Sequence, residues 1–192
     1  MKRKVILASA SPRRREILAK TGMEFEVQVS NCDENIDETE PDKLVMKLSQ
    51  LKAKDVSARN PKAIIIGSDT VVSHNGIIMG KPSDRAEAIR MIKNFAGDKH
   101  QVYTGVTIII PDEDTEKDTI VTYNVCTDVY VLSMTDEEIE RYVDTGEPMD
   151  KAGAYAIQGL FAPYISKIDG DYYNVVGLPI SSVYGILKKY IY

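Results

Sequence analysis

A mixed α/β fold, with a twisted sheet of parallel and antiparallel strands flanked by helices, follows from three features of this 192-residue chain. The apolar run Val5, Ile6 and Leu7 passes almost directly into a helix-start signal at Ser11-Pro12. The run Ala63 to Ile66 is apolar throughout and reads as a central strand buried on both faces. Asn75-Gly76, with apolar residues on both sides, is a two-residue hairpin signal that brings antiparallel pairing into the sheet. Mixed strands and helices with hairpins point to two lobes around a central cleft.

Each element then follows in order. Val5 to Leu7 reads as a short buried strand; Ser11 is a good N-cap and Pro12 suits the first helical position. Phe25 to Val29 alternates as a strand and leads into the acidic stretch Asp33 to Glu40. Pro41 opens a helix over about Asp42 to Ala58, with Leu44, Val45, Leu48 and Leu51 at helical spacing and Lys52 continuing the stripe. The central strand delivers Gly67, Ser68, Asp69 and Thr70 at its end, before the hairpin over Val71 to Met79. A helix over about Asp84 to Phe95, a strand through Gln101 to Ile110, an acidic turn from Pro111 to Asp118 and a long strand to Leu132 follow. Ser133 to Asp136 supplies capping residues for a helix through Tyr142, ahead of the Gly- and Pro-punctuated segment Gly146 to Gly159. A hairpin around Asp169-Gly170 and a helix over about Pro179 to Tyr190 complete the chain.

The length suits one domain spanning residues 1–192, with a substantial core. A balance of 29 acidic to 24 basic residues gives a formal charge of -5, which argues against nucleic acid or a membrane surface as partner and makes any basic patch local. No segment approaches the roughly 18 apolar residues that span a bilayer, and no apolar signal region precedes the first strand, so a soluble, cytoplasmic chain is expected. Cys32 and Cys126 are isolated from any zinc-type spacing and are expected to be structural.

Three consecutive arginines, Arg13, Arg14 and Arg15, sit where the helix dipole is already positive and where each adds roughly 0.3–1 kcal/mol of unfavourable charge. An anion offsets that cost. With free backbone N–H groups and the hydroxyls of Ser9 and Ser11, the segment makes a phosphate site. Asp69, at the end of a buried strand, can bind a metal or act as a base. A two-residue turn at Asn75-Gly76 would pair outward from His74 opposite Ile77 and bring Lys81 opposite Thr70, beside Asp69. Lys52, on an apolar stripe, either snorkels to solvent or reaches into a cavity. Glu34 reads either as a second metal carboxylate or as a solvated loop charge. Cations at Arg13, Lys52 and Lys81 with carboxylates at Glu34 and Asp69 match the needs of a metal-dependent polyphosphate enzyme. His74 and His100, the only histidines, fit neither a Ser-His-Asp triad nor a His-rich metal site, which leaves water as the nucleophile.

Seven ordered blocks resemble the Maf family of nucleotide pyrophosphatases. They are LASASPRRREIL at Leu7 to Leu18, LKAK at Leu51 to Lys54, IIGSDTVV at Ile65 to Val72, GKP at Gly80 to Pro82, YTGV at Tyr103 to Val106, GEPMDKAGAYAIQG at Gly146 to Gly159 and VVGLP at Val175 to Pro179. The resemblance implies an inosine-triphosphatase-like fold that hydrolyses a nucleoside triphosphate to the monophosphate and pyrophosphate, with a divalent cation (Mg²⁺ or Mn²⁺) and a homodimeric state. Carried over by position, it makes Asp69 the acceptor that activates water, Arg13, Lys52 and Lys81 phosphate contacts, and Glu34 a metal ligand alongside Asp69. Arg13, Thr70 and Gln158 are similar to the members acting on dTTP and UTP, a house-cleaning role; the sister group acting on 7-methyl-GTP carries an aromatic residue, a glutamine and a glutamate there. A threonine hydroxyl and a glutamine amide can offer donor and acceptor to a uracil or thymine edge. The alternatives are a 7-methyl-GTP pyrophosphatase and a nucleotide-sensing module that regulates septum formation.

Overall fold

The computed structural model describes residues 3–112 and 117–191. Among them, seven strands form one sheet in the order β2-β1-β3-β5-β6-β7, with β4 added to β3. In chain order the elements are β1 (Val5–Ala8), α1 (Pro12–Ala19), β2 (Glu26–Val27), α2 (Pro41–Arg59), β3 (Ile64–His74), β4 (Ile77–Met79), α3 (Arg85–Phe95), β5 (Lys99–Ile110), β6 (Thr119–Val131), α4 (Asp136–Val143), β7 (Ile165–Asp169), α5 (Tyr172–Val176) and α6 (Ile180–Ile191). β1 runs parallel to β2 and β3; the other pairings are antiparallel, so the sheet is mixed as expected. Among the described residues no helix is long and apolar enough to cross a membrane.

The two faces of β3 explain the layers. Side chains alternate along a strand, so Ile64 and Ile66 share one face with Val106 and Ile108 of β5, while Ile65 and Ile109 face α2 with Ala53 and Val56. The first face carries two separate apolar clusters. One packs α1 and α6 on the ends of β1, β3 and β5 through Leu18, Val183 and Leu187; the other packs α3 and α4 on the far ends of β3, β5 and β6 through Val72, Val102, Phe95 and Ile139. These are the two lobes. Between them lies a polar seam of Thr70, Thr104 and Asn174, and the cleft opens above it.

On the other face, α2 packs directly on glycines. A Cβ on Gly67 would come within 2.3 Å of the Ser49 carbonyl, and one on Gly105 within 2.2 Å of the Val45 carbonyl. Gly105 pairs with Asp69, so the helix backbone touches the sheet on either side of that carboxylate. The buried stripe is accordingly Val45, Leu48, Ser49, Ala53 and Val56. Leu44 is half-buried and Leu51 is exposed, contrary to the expected apolar stripe, because each lies about 100° from a residue that meets the sheet.

Several expected boundaries shift. β2 is two residues rather than the five of Phe25 to Val29, because among the described residues the short β1 is its only strand partner and both its residues are exposed. The central strand does not stop at Asp69 but continues to His74, with β5 pairing along its whole length to Ser73. β4 ends at Met79, so Lys81 does not pair opposite Thr70. Asp169-Gly170 is not a hairpin: β7 pairs back onto β6, and Asp171 caps α5 by accepting from the backbone N–H groups of Tyr173 and Asn174. Cys126, expected to be structural, is an exposed free thiol on β6, and Cys32 is a half-buried free thiol. The acidic turn expected over Pro111 to Asp118 falls in part on residues 113–116, outside the described residues.

Replacing Gly105 with alanine forces a methyl group into the α2 backbone, so it is expected to cost about 1–3 kcal/mol in denaturant unfolding. The same change at Gly80, where an added Cβ meets nothing within 4 Å, is expected to cost far less.

Candidate active site

Residues Ser68 to Val71 of β3 have a strand neighbour on one side only. Pairing with β1 ends at Ala8↔Gly67 and pairing with β4 begins at Val72↔Met79, while β5 runs unbroken along the opposite edge. The interruption lets Asp69 and Thr70 project to opposite faces beside an open gap. A cleft of about 500 Å³ occupies it, within the size range of small-molecule sites.

Asp69 faces α2. Lys52 Nζ donates to Asp69 Oδ1 at 2.6 Å and pairs with Glu34 Oε2 at 2.9 Å. The Lys52 side chain is only 12% exposed, so it reaches inward rather than snorkelling. Its four-carbon stem reaches the strand because Gly67 and Gly105 let the helix sit on the sheet. Asp69 lines the cleft, and its hydrogen bond from Lys52 engages Oδ1. Glu34 is exposed at the rim on the segment ahead of α2.

The three arginines diverge, because successive helical residues are about 100° apart. Arg13 lines the cleft and Arg15 faces solvent. Arg14 is latched into the protein: Nε donates to the Gly177 carbonyl at 2.8 Å, Nη2 to Thr70 Oγ1 at 3.0 Å and Nη1 to Ser9 Oγ at 3.4 Å. Two of its five N–H groups, one on each terminal nitrogen, remain for a ligand. Burial lowers its pKa, opposed by the Asp69 charge, and the guanidinium stays cationic. Ser9 is buried and accepts from the Ser11 N–H and from Arg14, so it supports the turn and does not line the cleft. Ser11 lines it while capping α1 through the Arg14 N–H.

The opposite wall comes from the second lobe. Lys81 reaches the cleft from the loop after β4, which is tied to residues 150–158 by the Gly153 N–H donating to the Gly80 carbonyl at 3.0 Å. Gln158 is exposed on that wall. Asp150, Lys151 and Tyr155 also line the cleft, as does Gly177 at its floor; none was singled out from the sequence, although Gly146 to Gly159 stood out as a punctuated segment. Lys151 pairs with Asp150, whose carboxyl this ammonium and, more weakly, Arg13 hold below its ordinary range. Five cationic side chains (Arg13, Arg14, Lys52, Lys81, Lys151) face three carboxylates (Glu34, Asp69, Asp150). A positive cleft on an acidic chain favours a polyanion.

Tyr155 is fixed from behind. Its hydroxyl lies 2.7 Å from Nε2 of His100, which is fully buried and stacks on Phe95 at 4.2 Å. Burial pushes the Tyr155 phenol up and the His100 imidazole down to about 3. Both groups are therefore neutral near pH 7 and serve to hold the wall.

Asp69 and Glu34 meet at one point, the position of the Lys52 ammonium. Lys52 engages one oxygen of each, Asp69 Oδ1 and Glu34 Oε2, so the second oxygen of each carboxylate, completed by phosphate oxygens, suits Mg²⁺ or Mn²⁺ bound together with a substrate tail. Among the described residues no group of three or more His, Cys, Asp or Glu assembles to hold a metal by itself.

The family model described as Maf-like protein matches residues 4–190. A protein of Lachnoclostridium phytofermentans named dTTP/UTP pyrophosphatase is 46% identical over 97% of this chain and 94% of its own. One of Alkaliphilus metalliredigens with the same name is 49% identical over 98% and 97%. The solved Staphylococcus aureus Ham1 protein superposes with a TM-score of 0.44 at 12% identity, over 97% of this chain and 99% of that one.

Because the folded state keeps His100 neutral down to about pH 3 while the unfolded chain protonates it near 6.5, the unfolded state binds an extra proton in that window. Stability from this group falls with falling pH, by up to about 1.4 kcal/mol per pH unit. Urea unfolding of His100→Gln between pH 6 and pH 4 is expected to show a shallower decline than the parent; parallel declines would contradict it.

Proposed function

The chain belongs to the Maf family, and from that premise we propose that it is a nucleotide pyrophosphatase that hydrolyses dTTP and UTP to the monophosphate and pyrophosphate. The observation that carries the reading is the Asp69–Lys52 pair in the sheet gap, facing a positive cleft. Names of relatives at 46% and 49% identity over nearly the whole chain support the substrate class. The need to rid the nucleotide pool of unwanted pyrimidine triphosphates is the purpose consistent with it.

Water attacks the α-phosphorus while Asp69 takes its proton; the bond from the α-phosphorus to the bridging oxygen breaks, and pyrophosphate leaves with the electron pair. Lys52 fixes one carboxylate oxygen by its 2.6 Å hydrogen bond, so the other is aimed rather than free to rotate. Arg13, Lys81 and the two free N–H groups of Arg14 bind phosphate oxygens and stabilise charge growing on the leaving group. Asp69 and Glu34 would hold Mg²⁺ or Mn²⁺, which supplies charge neutralisation on the phosphates. Gln158, exposed on the opposite wall, offers both a donor and an acceptor to a pyrimidine edge.

With UTP and Mg²⁺, the first phosphorus products are expected to be UMP and pyrophosphate; early release of orthophosphate would count against the cleavage site. Asp69→Asn is expected to lower kcat by about 10²–10⁴-fold with nucleotide binding largely kept. A variant that still turns over fully would favour a sensing module, and a parent enzyme that prefers 7-methyl-GTP would favour the sister activity. Glu34→Gln is expected to raise the Mg²⁺ concentration needed for half-maximal rate by roughly ten-fold, read by metal titration.

A further inference from the structure

Four consecutive residues, Tyr155 to Gln158, line the second-lobe wall of the cleft, and the chain is constrained where it enters and leaves this span. It enters through Ala154, which is fully buried and holds a φ of 59°, a left-handed conformation that alanine seldom adopts. It leaves through Gly159, where an added Cβ would lie 2.3 Å from Glu147 Oε2 and 2.4 Å from Oε1. Glu147 itself does not line the cleft.

This one carboxylate reaches both ends of the span. Glu147 Oε2 accepts from the Leu160 N–H at 2.8 Å, directly after Gly159. Glu147 Oε1 lies 3.1 Å from the Tyr142 hydroxyl, which also lies 3.3 Å from the Ala154 carbonyl and is hydrogen-bonded by the Ala156 backbone. That hydroxyl has one proton between two acceptors, and the carboxylate is the stronger of them. Burial and, after it, the Glu147 charge push the Tyr142 phenol up, so it stays a donor near pH 7. The tie is anchored in turn: the Glu147 N–H donates to Thr145 Oγ1 at 3.3 Å, whose own proton goes to the Tyr142 carbonyl at 2.6 Å, and Tyr142 packs in the cluster that buries α4.

The cations of the cleft hang from other elements. Arg13 and Arg14 belong to α1, Lys52 to α2, and Lys81 to the loop after β4. Resting on the reading of the site as a dTTP/UTP pyrophosphatase, we infer that Glu147 is a positioning residue for the nucleoside end of the substrate: by fixing the span Tyr155 to Gln158 at both ends, its carboxylate sets where the wall meets the base and sugar, without touching the grip on the phosphates. A displacement of about 1 Å in such a wall weakens binding of the correct substrate geometry.

The test measures kcat and KM for UTP, and Ki for pyrophosphate as a product inhibitor, in the parent, Glu147→Ala, Glu147→Gln and Tyr142→Phe. Glu147→Ala is expected to raise KM by about ten-fold and to leave Ki for pyrophosphate within about two-fold of the parent. Glutamine keeps an acceptor for the Leu160 N–H and is expected to hold KM within about two-fold of the parent, whereas Tyr142→Phe, which removes only the link to the entry side, is expected to raise it about three-fold. A merely structural role lowers the fraction of active enzyme and so the apparent kcat alone; an unmoved KM in Glu147→Ala, or KM and Ki rising together, overturns the inference. If Glu147→Ala does not fold, Gly159→Ala, which drives a methyl group onto the carboxylate, joins Tyr142→Phe as the test, and an unmoved KM in both overturns the inference. Should the parent release no pyrophosphate from UTP at all, it is the underlying activity that fails, a result distinguishable from an unmoved KM.

Discussion

The site depends on the contact between α2 and the sheet at Gly67 and Gly105. Only where the strand has no Cβ can a helix backbone approach this closely, and the two glycines flank the Asp69 position on β3 and its partner strand. That approach carries Lys52 to within 2.6 Å of the carboxylate. A helix displaced outward by one side-chain layer would leave the ammonium short of Asp69 and closer to solvent. A shared lysine also separates the charges of Asp69 and Glu34, which would otherwise face each other across the rim.

A second constraint acts in the plane of the sheet. β1 and β4 occupy the same edge of β3 but leave Ser68 to Val71 unpaired on that side, so polar groups of a central strand reach a cleft without crossing an apolar layer. The two apolar clusters on one face are the consequence at the level of packing. Each buries its own helices against one end of long strands, and the uncovered middle carries two threonines bonded to one another and to the backbone carbonyl of Asn174. Cleft and polar seam are thus the front and back of one interruption in the core.

Much of this was legible in the sequence. Ser11-Pro12, the apolar run Ala63 to Ile66, Asn75-Gly76 and the Thr135 cap act locally, through capping, β-pairing preference and turn geometry, and the structure bears out the elements they mark. The candidate site residues Arg13, Arg14, Lys52, Glu34, Asp69, Thr70, Lys81 and Gln158 all line the same cleft. What escaped was set by tertiary pairing. Asp69 lies within a strand rather than at its end because β5 continues to pair where β1 stops, and no local signal in Gly67 to Thr70 marks the end of a neighbour. Lys81 reaches the cleft through a loop tied to Gly153, not by strand register. Ser9 looked like a ligand hydroxyl but is spent on the turn.

The central claim is that solvent, activated at Asp69, attacks the phosphorus nearest the nucleoside. Running the reaction on UTP in ¹⁸O-labelled water and locating the label by mass spectrometry tests it most directly. The heavy oxygen is expected in the phosphate of UMP, with pyrophosphate unlabelled. Label in pyrophosphate, with none in UMP, would place the attack on the β-phosphorus and contradict the arrangement of carboxylate and cations described for this cleft.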